Sequence, residues 1–307
     1  MCIHASVNYN VVRTTNQRRG ARVQNRGLVN DCARAVPTPT LFHIAFYRFV
    51  RLADPGHTAA ALREITRELL GAVLVAGEGI SGMLAGAAPA LHRFEQTLQR
   101  DLRFGGVFDG IAFKRSACRT PPFQRMKVHV RAEVLPLGVD GVDVVGRPGV
   151  QLDSAQWRAL LADPEVVVID NRNSFEFRLG RFRGAIDPQV GNFRDLPAFI
   201  ESRAAGWKAR GQRIAMYCTG GIRCEKTAAW MQEAFDLEVQ QLEGGILRYL
   251  AETPVPQADW QGECFVFDNR IALDACLSET ATTAADVYAG DADEAWRLQR
   301  AMRLCGA

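Results

Sequence analysis

The sequence predicts an α/β protein of two domains, a split β-α-β-β-α-β sheet followed by a parallel sheet flanked by helices. Three observations predict it. The chain of 307 residues is longer than one average domain needs. Apolar runs of strand length alternate with stretches of helical spacing over residues 40–137 and again over 150–255. At residues 214–224, Ile-Ala-Met-Tyr-Cys-Thr-Gly-Gly-Ile-Arg-Cys, an apolar strand ends on a cysteine and runs through two glycines into a helical pattern. A hydrophobic content of 48% is enough for packed cores.

The first 36 residues hold Arg13, Arg18, Arg19, Arg22, Arg26 and Arg34 against Asp31 alone, with no hydrophobic period. They predict a disordered basic leader over residues 1–38. The same composition suits an organellar transit peptide or translation from too early a start codon. Residues 41–50 then read as an apolar strand, and residues 58–70 as a helix with Ala61, Leu62, Ile65 and Leu69 on one face. Residues 72–76 are a strand, and Glu78-Gly79-Ile80-Ser81-Gly82 is a turn into residues 83–85. A second helix runs from Pro89 to about Leu102 with Leu91, Phe94 and Leu98 inward, and strands at 111–114 and 126–133 complete the unit. That order is a ferredoxin-like split sheet, which assigns no function by itself.

Residues 114–131 hold Lys114, Arg115, Arg119, Arg125, Lys127 and Arg131 and no acid, with Phe123 between them. Cations for phosphates and a ring for base stacking suit a single-stranded RNA loop. A solvated strand face gives the same pattern, and both readings stand. By contrast, residues 257–307 carry nine acids against four arginines, which disfavours nucleic-acid binding there.

In the second domain, residues 166–169 form an apolar strand ending in Asp170-Asn171-Arg172. The later strand-to-helix turn aims backbone N–H groups and a helix N-terminus at its centre, which favours an anion. The anion is the Cys218 thiolate. Thr219, Gly220, Gly221 and Ile222 form the loop, the glycines allowing a tight curl, and Arg223 adds a positive charge that lowers the thiol pKa. Without this context a cysteine at a strand end is an inert core residue. Four residues separate Cys218 from Arg223, one fewer than the related phosphatase loops use. The tighter loop suits a thiolate that receives a small group rather than one that attacks a phosphoester. Cys224 either resolves a persulfide or disulfide during turnover or packs as a small apolar residue. Asp170 and Arg172 either hold the cysteine loop in shape or form a structural ion pair.

The strand ending in Asp170-Asn171-Arg172, then Phe175-Glu176-Phe177, Gly180-Arg181-Phe182-Arg183-Gly184-Ala185 and the cysteine loop resemble the rhodanese (sulfurtransferase) domain. Arg181 stands in place of the usual histidine and Asn171 at a usually apolar position. The wider pattern adds Ala76-Gly77-Glu78-Gly79-Ile80-Ser81-Gly82, Arg125-Met126-Lys127-Val128, Cys224-Glu225-Lys226, Glu243-Gly244-Gly245-Ile246 and Phe265-Val266-Phe267-Asp268-Asn269-Arg270. In this order they resemble the tRNA uridine 34 hydroxylase family over residues 40–275. Ser81 replaces the usual Asn and Asn269 the usual Glu. The resemblance implies 5-hydroxylation of the wobble uridine of tRNA, with molecular oxygen as co-substrate and Cys218 as the catalytic thiol. It also puts the tail in question, because only Cys276 and Cys305 follow where many members carry a zinc-spaced cysteine cluster. The extension at 256–307 is therefore expected to lack a metal site, and its closing helix at 294–304 to cover the domain.

Eight cysteines without disulfide-framework spacing point to a reducing cytoplasm. No apolar run approaches the ~18 residues of a membrane span. Oxygen insertion ordinarily draws on a flavin, haem or iron. No dinucleotide fingerprint is present, and His4, His43, His57, His92 and His129 lack metal-ligand spacing, so no cofactor is evident. His43 and His129 fall in strands and read as satisfied structural residues. Three classes remain: a tRNA hydroxylase using Cys218, a sulfurtransferase carrying sulfane sulfur as a Cys218 persulfide, and a non-catalytic RNA-binding scaffold.

Overall fold

A computed structural model describes residues 41–290 and 292–305, the last four by backbone alone. The arginine-rich leader, with His4, Cys2 and Cys32, lies outside the described residues, as do Asp291 and the side chains of Leu304 and Cys305.

The first sheet contains β1 (Leu41–Phe49), β2 (Leu70–Ala76), β3 (Gly79–Gly86), β4 (Lys114–Cys118) and β5 (Met126–Val130) in the order β4-β1-β3-β2-β5. Helices α1 (Pro55–Ile65) and α2 (Ala88–Arg100) pack on one face, around a core that includes Ile44, Phe46, Leu62, Val73, Leu84, Leu91 and Phe94. Several boundaries differ from the sequence reading, and residues 79–82, read as part of a turn, open β3 instead, because they pair with residues 46–49 of β1. Helix α1 starts at Pro55 because Asp54 caps it, accepting the His57 N–H at 2.8 Å. It stops at Ile65 because the Thr66 hydroxyl turns back to the Leu62 carbonyl at 2.7 Å. The fourth strand begins at Lys114 rather than Ile111, after Gly105, Gly106 and Gly110 have turned the chain at positive φ. The fifth strand is parallel to β2 at the edge opposite β4.

The second unit has a parallel sheet in the order β6-β10-β9-β7, formed by β6 (Val150–Leu152), β7 (Val166–Asp170), β9 (Arg213–Tyr217) and β10 (Val239–Leu242). Helices α3 (Ser154–Leu161), α4 (Ser174–Leu179), α5 (Leu196–Ala209), α6 (Ile222–Phe235) and α7 (Gly245–Glu252) surround it. Fully buried positions on β9 serve both faces. Ile214 and Met216 join the cluster of Trp207 and Trp230, whereas Ala215 and Tyr217 join that of Trp157 and Tyr249. A short β8 (Gly180–Phe182) pairs with β11 (Trp260–Gly262), and β12 (Cys264–Phe265) with β13 (Ala272–Leu273). Helices α8 (Ala284–Tyr288) and α9 (Ala295–Cys305) follow. The Arg297 guanidinium of α9 lies over the Phe175 ring of α4. No helix among the described residues is long and apolar enough to cross a membrane.

Candidate active site

Strand β9 delivers Cys218 to the carboxyl edge of the parallel sheet, where open α/β sheets gather ligands. The loop then turns into α6 through Gly221, whose φ of 102° is closed to most side chains. This turn points the Gly221 N–H at the Cys218 Sγ, 3.1 Å away. The Cys224 amide and thiol also donate to that sulfur, and Arg223 adds its charge. Burial acts to raise the thiol pKa, but these donors and the cation outweigh it and hold Cys218 well below the ordinary thiol range. Cys224 responds in the opposite sense: burial and the neighbouring thiolate push it well above that range. The two sulfurs are thus driven in opposite directions.

The loop is clamped from three sides. The α7 N-terminus donates Ile246 N–H to the Cys218 carbonyl at 3.0 Å and Leu247 N–H to that of Thr219 at 3.2 Å. Gly245 makes the approach possible, since a Cβ there would overlap the Cys218 carbonyl. Arg223 makes a bidentate pair with Glu176 of α4, at 2.7 and 2.8 Å, and touches the Thr219 hydroxyl at 3.3 Å. Burial disfavours both charges, yet the pairing keeps Glu176 ionised and Arg223 protonated. The third side is the first domain. Lys114 donates to the Gly220 carbonyl, and its ammonium lies 5.1 Å from the centre of the Tyr47 ring. Tyr47 in turn donates to Glu225 on α6.

Asp170 and Arg172 pair with each other at 2.6 Å, fully buried. Arg172 also donates to the Gly180 carbonyl at 2.6 Å, and Asp170 accepts from the Tyr217 hydroxyl. Asn171 supports the loop more directly. Its N–H bonds the Tyr217 carbonyl at 2.8 Å, and its side-chain amide reaches Thr227 and the Cys224 thiol.

The basic stretch does not form one patch. Its members on β4 and β5 stand at opposite edges of the five-stranded sheet. Lys114 is half-buried in the cysteine site, Arg115 is paired with Glu95 at 2.7 Å, and Arg119 donates to the Glu279 carbonyl at 2.6 Å. Phe123 is half-buried against His43, with ring centres 5.9 Å apart. Arg125 is exposed before β5 and Lys127 is half-buried within it, far from β4 in the sheet order. His43 is not fully satisfied: its Nε2 makes no hydrogen bond and stands 3.7 Å from Asp268. Burial, then Arg270, lowers its pKa to about 4.

Sequence reasoning missed Tyr47 and Glu225 and gave Lys114 another role. It also missed Phe267, which is 46% exposed and lies over the Arg223 guanidinium. The available signal was the Glu225-Lys226 pair after the second cysteine. Both residues face the first domain, Glu225 toward Tyr47 and Lys226 toward Glu78 and Glu133. Among the described residues no group of three or more His, Cys, Asp or Glu is arranged to hold a metal ion.

Residues 42–134 match the UPF0176 acylphosphatase-like domain and residues 153–252 the rhodanese-like domain. The chain is 42% identical over 247 residues to a tRNA uridine(34) hydroxylase of Deinococcus radiodurans, covering 79% of each chain. It is 43% identical over 237 residues to one of Bradyrhizobium diazoefficiens, covering 76% of this chain and 92% of the relative. A third relative of that name, from Teredinibacter turnerae, is 40% identical over 237 residues, covering 76% and 72%.

Proposed function

The chain belongs to the tRNA uridine(34) hydroxylase family, and from that membership we propose that it hydroxylates C5 of the wobble uridine of tRNA, with molecular oxygen as co-substrate and Cys218 as the reacting thiol. The observation that carries this reading is the Cys218 sulfur, which accepts from the Gly221 and Cys224 amides and the Cys224 thiol beside the Arg223 charge, surroundings that favour its anion. A thiolate is the side chain suited to add to the electron-poor C6 of a uracil ring, which makes C5 nucleophilic. Insertion of one oxygen atom of O2 there sends the other to water, at the expense of two electrons and two protons from a thiol-class reductant. The chain's part is to hold the sulfur ionised, to fix the loop amides around it and to keep water from it, since Cys218 is only 1% exposed.

That burial means the thiolate is not freely accessible as it stands, and the base reaches it only when the groups over the loop give way. A reducing compartment containing tRNA, the cytoplasm, is the setting in which this chemistry operates. The test is mass spectrometry of nucleosides from tRNA of a deletion strain. Loss of 5-hydroxyuridine derivatives, restored by the wild-type gene and not by Cys218→Ser, is expected. Unchanged tRNA, together with Cys218-dependent transfer of sulfur from thiosulfate to cyanide, would favour the sulfurtransferase reading instead.

A further inference from the structure

The structure assigns a further role at the reaction centre to the first domain: we propose that Lys114, seated on the Tyr47 ring, is a positioning residue that fixes the cysteine loop and sets a cation against the Cys218 thiolate. This deepens the hydroxylase reading but is tested without it. Lys114 opens β4, the strand paired with β1, and β1 carries Tyr47. In that register Lys114 lies opposite Ala45, two residues from Tyr47. Alternation along a strand therefore puts both side chains on one face of the sheet. That face meets the cysteine loop. Lys114 donates to the Gly220 carbonyl, and the Tyr47 hydroxyl lies so close to Gly221 that a Cβ there would meet it at 2.7 Å.

The location argues against a solvent-facing role. The ammonium sits 5.1 Å from the Tyr47 ring centre, a cation–π contact in a half-buried site where such contacts gain strength. The charged and titratable groups about the sulfur include, among the described residues, Arg223, Cys224 and Glu225 from α6 and Lys114 and Tyr47 from the first domain. Glu176 of α4 is committed to Arg223. Glu243 and Arg248, the remaining charges that act on Lys114, pair with each other. Arg223 is thus balanced by Glu176, and Glu225 adds an acidic group beside the loop. Burial lowers the Lys114 pKa and raises that of Glu225, while the charges of Cys218 and Glu225 act to keep Lys114 protonated.

The two jobs of Lys114, a hydrogen bond to the loop and a charge near the sulfur, separate by substitution. Lys114→Gln keeps a donor for the Gly220 carbonyl and removes the charge. Lys114→Met removes both, and Lys114→Arg keeps both. The readout is the rate of iodoacetamide alkylation of Cys218 against pH in the full chain, followed by mass spectrometry on the tryptic peptide 214–223, in which Cys218 is the only cysteine. Circular dichroism monitors folding.

Both Gln and Met variants are expected to move the alkylation midpoint up by about one pH unit, as loss of a nearby opposite charge does. The Arg variant should stay near wild type, and hydroxylation by Lys114→Gln should fall in kcat with the KM for tRNA little changed. A midpoint unchanged in folded Lys114→Gln, with a raised KM for tRNA, would overturn the proposal and return Lys114 to the role of a phosphate contact. If Lys114→Met does not fold, the Gln and Arg variants decide alone. A wild type that alkylates as expected but does not hydroxylate tRNA would sink the hydroxylase reading and leave this one standing.

Discussion

The buried thiols Cys118, Cys218, Cys224 and Cys264 end with different proton affinities. Burial pushes Cys118 up to about 11 and Cys264 up to about 12. Cys218 goes down, because hydrogen bonds from Gly221 and Cys224 add to the Arg223 charge, whereas the cations beside Cys118 and Cys264 are opposed by neighbouring carboxylates. Cys224 is one of those donors. Replacing it separates donation from redox chemistry, since serine donates a hydrogen bond but closes no disulfide. Cys224→Ser should leave the alkylation midpoint of Cys218 within a few tenths of a pH unit, whereas Cys224→Ala should raise it by about half a unit or more. If the Ala variant alkylates like wild type, the Cys224 thiol does not stabilise the anion. The loop around Cys218 was legible in the sequence, because strand, cysteine, two glycines and arginine are contiguous and their geometry is local.

At the scale of elements, helix α6 does two tasks with adjacent residues. Its first turn builds the thiolate site, and its second holds the first domain through Lys226. The Lys226 ammonium is nearly buried and bonds Glu78 at 2.9 Å, Glu133 and the Leu135 carbonyl at 2.9 Å. Glu78 also accepts the Val134 N–H at 2.8 Å. Lys226→Met would leave two carboxylates facing each other without their cation. Those carboxylates are partly exposed, so the cost should fall short of a fully buried pair, at about 2–4 kcal/mol. Denaturant unfolding checks this, and a variant as stable as wild type would show the cluster to be incidental. Contacts of this kind were not legible. The run from 114 to 131 is continuous in sequence, but the chain between β4 and β5 carries its ends to opposite edges of the sheet. A charge count along the chain cannot see that crossing. The helix and strand periods were legible, except where Thr66 or the glycines between 105 and 110 ended an element by local hydrogen bonding or turn geometry.

On the scale of the molecule, three segments distant in sequence meet at the cysteine loop. The first domain brings Tyr47 and Lys114, the parallel-sheet unit brings the loop, and the extension brings Phe267 over Arg223. The extension is more than a cover. Asp268 and Arg270 pair at 2.7 Å, Arg270 also bonds Ser116 on β4 at 2.8 Å, and Asn269 bonds the carbonyls of Pro121 and Pro122. The resemblance in sequence marked this element but gave it no task. Its exposed ring, next to the loop arginine, leads to an expectation at this scale: Phe267→Ala should raise the KM for tRNA several-fold while Phe267→Trp keeps it, as for a ring that stacks on a base. An unchanged KM in the Ala variant would remove Phe267 from substrate binding.

All of these roles presuppose an ionised sulfur at the junction. The direct measurement is the pH dependence of Cys218 alkylation in the wild-type full chain, read on its own peptide. A midpoint well below the ordinary thiol value of about 8.5 is predicted, with Cys264 unreactive until far more alkaline pH. A Cys218 that alkylates only above that value, in step with a simple buried thiol, would contradict the account.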